Sequence, residues 1–275
     1  MKRKSLLTAS IIAVLGWLSL SGALPAAEET LNGQQIIEKS QQAFYYAGHD
    51  MRARVVMNLI DKRDRKRNRE MNMLRINSAE AGNQKFFIYF QKPGDVRRMT
   101  FMVWKYLGQE DDRWMFIPAV DLVKRIAAND KYSSFVGSDF TYEDISGRDI
   151  DSDTYQLLRS EKFKEWDCFV VERTPKESSL YTKRLSWVEK NTFLPVKEEF
   201  YDAQQELVKV FIAEKIESVT AGSEEIPSVT KGVMKNIKSG HRTEVAYETI
   251  SYRLGLQEQD FNERNLRRPP REWTK

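Results

Sequence analysis

The spacing of hydrophobic positions changes twice along this chain. From Leu6 to Leu20 it is continuously apolar, broken only by Thr8, Ser10, Gly16 and Ser19. Between Asn32 and Gly48 the spacing becomes helical, through Ile36, Ser40, Ala43, Phe44 and Ala47. Asn32 can cap this segment and Gly48 can end it, so an amphipathic helix is predicted over roughly residues 33–46. After residue 50 the period falls to two. Met51, Ala53, Val55, Met57 and Leu59 alternate with Arg52, Arg54 and Asn58, and Met71, Met73 and Arg75 alternate with Asn72, Leu74 and Ile76. The charged run 61–70 between them mixes three acids with its bases. It reads as the solvated tip of a long hairpin, with an anionic-lipid or partner contact as the alternative.

Strand patterns continue to the end of the chain. They cover residues 85–91, 98–106, 113–117, 154–160, 168–173, 183–189, 195–201, 207–216, 228–237 and 243–252, with turn signals such as Pro93-Gly94-Asp95 and Ser239-Gly240 between them. Strand after strand on short connections predicts an antiparallel sheet large enough to curl. No repeat, long linker or low-complexity tract divides it, which predicts a single domain over 28–275. The basic tail 267–271 is expected to fray. Some strands are apolar on both faces: Phe86, Ile88 and Phe90 oppose Phe87 and Tyr89, and Phe101 and Val103 oppose Met102, Trp104 and Tyr106. A one-sided surface sheet would alternate apolar with polar. This pattern fits either a concave face turned to helices or a ligand, or a sandwich core covered on both sides.

The apolar start has the three-part order of a secretory signal peptide. Lys2, Arg3 and Lys4 precede the run, and small residues with Pro25 close it. Residues 1–27 are therefore expected to be a cleaved signal, cut between Ala23 and Ala27, which places the mature chain in the periplasm. An uncleaved anchor is the alternative. No cysteine lies nearby to carry a lipid.

Removing that segment changes the charge balance. It holds three of the chain's 44 basic residues and none of its 40 acidic ones, leaving 41 against 40. No strong positive field remains, so nucleic acid is not an expected partner. A single cysteine and two histidines exclude a disulfide framework and leave little for a metal site, and none is expected. There is no G-x-S-x-G elbow, Gly-rich phosphate loop or H-E-x-x-H. Asp139, Glu143 and Asp144 could be a carboxylate pair or cation ligands, but their spacing better fits the first turns of a short helix capped by Ser138 or Asp139. Cys168, among Phe169, Val170 and Val171, reads as a buried strand residue. Neither enzyme chemistry nor a cofactor is expected.

The stretches Asp111-Asp112-Arg113-Trp114-Met115-Phe116-Ile117-Pro118-Ala119, Val123-Lys124-Arg125-Ile126 and, most specifically, Ser134-Phe135-Val136-Gly137-Ser138-Asp139-Phe140-Thr141-Tyr142-Glu143-Asp144 resemble a bacterial family. Asp167-Cys168, Glu172, Tyr181, Trp187-Val188-Glu189 and Glu199-Phe200-Tyr201-Asp202 extend the match. These are the outer-membrane lipoprotein-sorting-like proteins, relatives of the periplasmic lipoprotein carrier LolA. The resemblance implies a mainly β fold with a few helices: a curved, incomplete antiparallel β-barrel with a helical lid over its apolar side.

By the same resemblance, the function would be carriage of lipid or lipoprotein acyl chains between envelope membranes. The implied partners are an inner-membrane RND-type or ABC-type transporter and an outer-membrane acceptor. The alternative is a non-enzymatic adaptor subunit of an RND-type lipid exporter. The carrier's lid is held by an arginine that precedes a proline, and its counterpart here is Lys92. The candidate cavity and lid residues are Phe86, Ile88, Phe90, Phe101, Val103, Trp114, Phe116, Phe135, Phe140, Tyr142, Trp187 and Phe211. The segment from Gly137 to Asp144 is expected to form a lid loop and short helix across the mouth of the sheet.

Overall fold

A computed structural model describes residues 31–79 and 82–275. The expected signal peptide and its cleavage site lie outside the described residues. The first element is a helix, α1 (Gly33–Tyr45), capped by a reciprocal box in which the Asn32 side chain accepts from the Gln35 amide and Gln35 reaches back to the Asn32 amide. Six strands follow as a meander: β1 (Asp50–Ile60), β2 (Lys66–Asn77), β3 (Gln84–Lys92), β4 (Thr100–Lys105), β5 (Asp112–Ile117) and β6 (Leu122–Ile126). Residues 127–152, which carry α2 (Tyr142–Ser146), then cross to the far edge of the sheet.

Seven more strands return: β7 (Asp153–Phe163), β8 (Trp166–Pro175), β9 (Lys183–Glu189), β10 (Pro195–Tyr201), β11 (Leu207–Ala221), β12 (Glu224–Asn236) and β13 (Arg242–Tyr252). The last pairs with the first, so the spatial order is β6-β5-β4-β3-β2-β1-β13-β12-β11-β10-β9-β8-β7. The result is one curved antiparallel sheet of 13 strands whose edges, β6 and β7, stay apart. Register shifts at Arg54/Val55, Glu70/Met71, Leu157/Arg159, Ala213/Lys215 and elsewhere insert bulges, each of which bends its strand and adds twist. At Gly232 a Cβ would stand 2.8 Å from the Phe211 ring, so only glycine lets that ring lie against β12.

Both faces of the first half are buried, each by a different cover. On the inner face, Met57, Met71, Phe86, Ile88, Phe90, Phe101 and Val103 form one cluster with Phe135 from the crossing segment. On the outer face, Leu74, Phe87, Met102, Trp114 and Phe116 form another with Phe261, Leu266 and Trp273. The C-terminal segment is thus a strap, not a frayed tail. It contains α3 (Glu263–Arg267), and the Trp273 ring lies 4.9 Å from both Phe87 and Phe261. Polar bonds fasten it: Thr100 Oγ1 donates to Leu266 O at 2.7 Å, Trp104 Nε1 to Phe261 O at 2.9 Å and Asn72 Nδ2 to Trp273 O at 2.9 Å.

Two further expectations are corrected. The hairpin tip is only residues 61–65, because Ile60 already pairs with Lys66. Its turn is held by Asp61, which accepts from the Arg63 and Arg65 amides at 2.9 and 3.0 Å. The edge strand β6 was not expected, being five residues long and mostly exposed.

Trp273→Ala is expected to lower stability by about 3 kcal/mol, the usual cost of removing a buried aromatic side chain. A urea midpoint unchanged by this substitution would show that the strap contributes nothing to the fold.

Candidate functional site

The crossing segment is shaped to stay on the inner face. Val136 (φ 49°) and Gly137 (φ 79°) turn the chain through left-handed conformations. Asp139 then anchors it to the start of β13: its amide donates to Thr243 Oγ1 at 2.9 Å, and its carboxylate accepts from Thr243 Oγ1 at 2.7 Å and lies 2.6 Å from His241 Nδ1. The helix cap is Thr141, in a box with Asp144, rather than Ser138 or Asp139. Aromatic side chains fix what lies below. Phe135 sits 5.3 Å from Phe101, 5.8 Å from Phe90 and 5.9 Å from Tyr142. Phe140 approaches Phe211 at 6.4 Å and packs against the inner clusters of both sheet halves.

Helix α1 completes the roof. Its Ile36 and Ile37 bury against Val171 and Val188 of β8 and β9. Gln41 Nε2 donates to Arg148 O at 2.9 Å and Tyr45 Oη to Asp144 O at 3.2 Å, which ties the two roof elements together. Gly147 (φ 76°) is pressed against the Tyr45 ring, where a Cβ would come within 2.9 Å. Under this roof lies a cavity of about 160 Å³. Its apolar wall includes Met51, Met57, Met71, Met73 and Met234, with Phe44 from α1.

The sequence-derived candidates divide by position. Phe86, Ile88, Phe135, Phe140 and Phe211 line the cavity. Phe90, Phe101, Val103 and Tyr142 belong to the same inner cluster but are not at the wall, and Phe90, Phe101 and Tyr142 pack around Phe135. Trp114 and Phe116 face the other way, under the strap. Trp187 lies on the opposite side of β9 from the cavity-lining Arg184 and Ser186, with Lys197 Nζ 4.0 Å from its ring centroid. Lys92 is 66% exposed and pairs with Glu70 at 3.4 Å.

The roof is clamped by buried charges. Arg184 pairs with Glu143 at 3.0 Å, Arg148 with Glu143 at 3.0 Å, and Lys209 with Asp144 at 2.8 Å. Behind them Arg148 holds Asp153 at 2.8 Å, and Arg173 bridges Asp153 at 3.4 Å and Glu198 at 3.2 Å. Burial alone would raise the Asp144 carboxyl, but the charges of Lys209 and Arg184 outweigh it and hold its pKa below the usual value. Burial would lower Lys209, and Asp144 outweighs that in turn, so its pKa is raised. Alternation placed Arg173, Arg184 and Lys209 on strands, but nothing local marks a charged strand residue as paired and buried. The methionines were legible as one strand face, though not as a wall.

A family model described as an uncharacterized protein matches residues 82–268. A proposed outer membrane lipoprotein-sorting protein domain from Vibrio parahaemolyticus is 30% identical, with 86% of this chain and 98% of that one covered at a TM-score of 0.79. This chain belongs to the outer-membrane lipoprotein-sorting-like family. A DUF1329 family protein from Desulfovibrio piger is similar at 28% identity and a TM-score of 0.77, covering 85% of this chain and 97% of that one. A LolA superfamily protein from Nitrosomonas europaea, 22% identical over 86% of this chain and 99% of that one, shares the fold at a TM-score of 0.66. Among curated proteins, none matches the chain.

In this lipoprotein-sorting-like protein Arg148, Arg184 and Lys209 pair with the carboxylates of the crossing segment, whereas Lys92 makes its ion pair with Glu70 on a neighbouring strand. The pH dependence of the clamp follows from its two shifts. Asp144 is lowered in the fold, so its contribution is complete above its unfolded pKa of about 4 and is lost as pH falls through the lower folded value. Lys209 is raised, so its contribution is complete below 10.5 and is lost only as pH rises through a still higher value. Lys209→Met, which leaves Asp144 buried without its cation, is expected to cost roughly 3 kcal/mol at pH 7. Urea unfolding should show the gap between wild type and Asp144→Asn constant from pH 5 to 9 and shrinking below about pH 4.

Proposed function

We propose that this protein is a periplasmic carrier that holds the acyl chains of a lipid or lipoprotein in the inner cavity and passes them between envelope membranes. The observation that carries this reading is a methionine-lined cavity roofed by two elements, α1 and the crossing segment, that rest on the sheet without being strands of it. Methionine side chains are unbranched and polarizable, so five of them form a wall that can fit chains of varied length and unsaturation. The family membership and the LolA-like fold support the same role.

The energetics are passive. Each methylene taken from water contributes about 0.8 kcal/mol, so eight of them supply roughly 6 kcal/mol. At about 160 Å³ the cavity is smaller than the roughly 300–1,000 Å³ of most small-molecule sites. Admitting an acyl chain therefore requires a roof element to swing out, and Phe140 is the side chain best placed to do so, being only partly buried and joined to both sheet halves. An inner-membrane transporter of RND or ABC type would supply the cargo, and an outer-membrane acceptor would remove it.

Phe140→Asp places a charge at the cavity wall. It should weaken a fluorescent fatty-acid probe by more than tenfold while moving the urea midpoint only slightly, because a lid residue carries less core area than a strand residue. Wild-type probe affinity in that variant would sink the lid assignment. Mass spectrometry of protein purified from its native periplasm should find stoichiometric lipid. Clean protein that also ignores acyl probes would favour the adaptor role.

A further inference from the structure

Arg75 stands apart from the other buried cations of the cavity. It is on β2, is 2% exposed and lines the cavity wall. Arg148, Arg173 and Arg184 each face a carboxylate, whereas among the described residues Arg75 has no ion pair. Its two terminal nitrogens donate to the carbonyls of Tyr45 and Ala47 at the end of α1, and its Nε, like those of Arg173 and Arg184, has no acceptor among the described residues. A guanidinium carries five N–H donors, so several remain for another partner.

The carboxylate that acts on Arg75 is already committed. Asp50 acts on Arg75 only at a distance, and its carboxylate accepts from the amides of Leu254, Gly255 and Leu256 at 2.6, 2.8 and 3.0 Å. Alternation puts Asp50 on the other side of β1 from Met51, which is the residue paired with Arg75. Burial pulls Arg75 down to about 10, still fully protonated at neutral pH. A helix C-terminus welcomes a cation, but two carbonyl contacts do not offset the burial of a whole charge.

The surroundings supply the rest of a headgroup site. Across β2, β1 and β13, Arg75 pairs with Met51 and Met51 with Tyr252. The Tyr252 hydroxyl lies 2.9 Å from Ser228 Oγ, and both residues line the cavity. Beyond this polar row, Met71, Met73, Phe86 and Ile88 continue the wall as apolar surface.

We propose that the cavity selects amphiphiles with an anionic headgroup, a carboxylate or a phosphate, and that Arg75 is the counter-ion, assisted by Tyr252 and Ser228. The inference rests on the acyl-carrier reading and narrows its cargo. Lipoprotein acyl chains are joined through neutral ester and amide links, so a free anionic lipid fits this site better than an acylated lipoprotein.

Palmitate, hexadecanol and palmitoyl lysophosphatidate, titrated against the full chain at one salt concentration, test it. Wild type should bind an anionic ligand at least about tenfold tighter than hexadecanol, as expected for a charge-assisted contact in a dry site. Which of the two anions binds tighter identifies carboxylate or phosphate as the favoured headgroup. Arg75→Gln should bring the anionic ligands down to the affinity of hexadecanol measured on the same variant, with circular dichroism confirming the fold. If Arg75→Gln does not fold, Arg75→Lys decides: it should keep the preference within roughly threefold, because the charge remains. Equal wild-type binding of charged and neutral chains would overturn the inference while leaving the carrier reading intact. A preference that persists in folded Arg75→Gln, or vanishes in folded Arg75→Lys, would also overturn it. Binding of none of the three would overturn the carrier reading as well.

Discussion

The clamp between the crossing segment and the second sheet half is the interaction on which the site depends. Glu143 and Asp144 sit in the first turn of a five-residue helix that could not persist alone. Arg184 and Lys209 reach them from β9 and β11, and Arg148 closes the group from the chain just beyond. Ion pairs this deep add little net stability compared with apolar packing, but they are severe about geometry. Each carboxylate must stay where it is or remain buried without its cation. A purely greasy contact would let the segment slide over the inner face. This one sets where the segment rests, and Glu143, Asp144, Arg148 and Arg184 line the cavity beside its apolar wall.

The two covers of the sheet do different work. The strap on the outer face is fastened by aromatic contacts and backbone-directed hydrogen bonds, and its residues Phe261, Leu266 and Trp273 are fully packed. The roof on the inner face is held by charges and by a few rings, with Phe140 and Phe44 only partly buried. One side is packed as ordinary core, and the other carries buried charges beside a cavity. That asymmetry explains why strands β3 and β4 can be apolar on both faces without the protein being a sandwich.

Much of the fold was legible in the sequence. The cap residue Asn32 and the 3.6 period gave α1, and period-two alternation located twelve of the strands to within a few residues. The unread parts share a physical cause. Strap residues Phe261, Leu266 and Trp273 are spaced singly in an irregular segment, so no period announces them. Strand β6 has too little buried surface to leave a pattern. Within the site, Phe86, Phe135 and Phe211 were read as candidates, but so were Trp114 and Phe116, because a strand apolar on both faces gives no local clue to which face lies inward. Arg75 looked like a polar member of an alternating strand. Only its placement opposite Met51, beneath the end of α1, shows that it is buried.

The central seam of the sheet joins β1 to β13, the first strand and the last, with Met51 opposite Tyr252. All other neighbouring strands in the order are consecutive in sequence. Each half can therefore assemble from local hairpins, but the cavity has no continuous wall until the final strand arrives. Such distant pairing must meet the loop-closure entropy of nearly the whole chain before it is rewarded, which makes it slow. That order of events leaves the apolar trough open until the last strand has found the first.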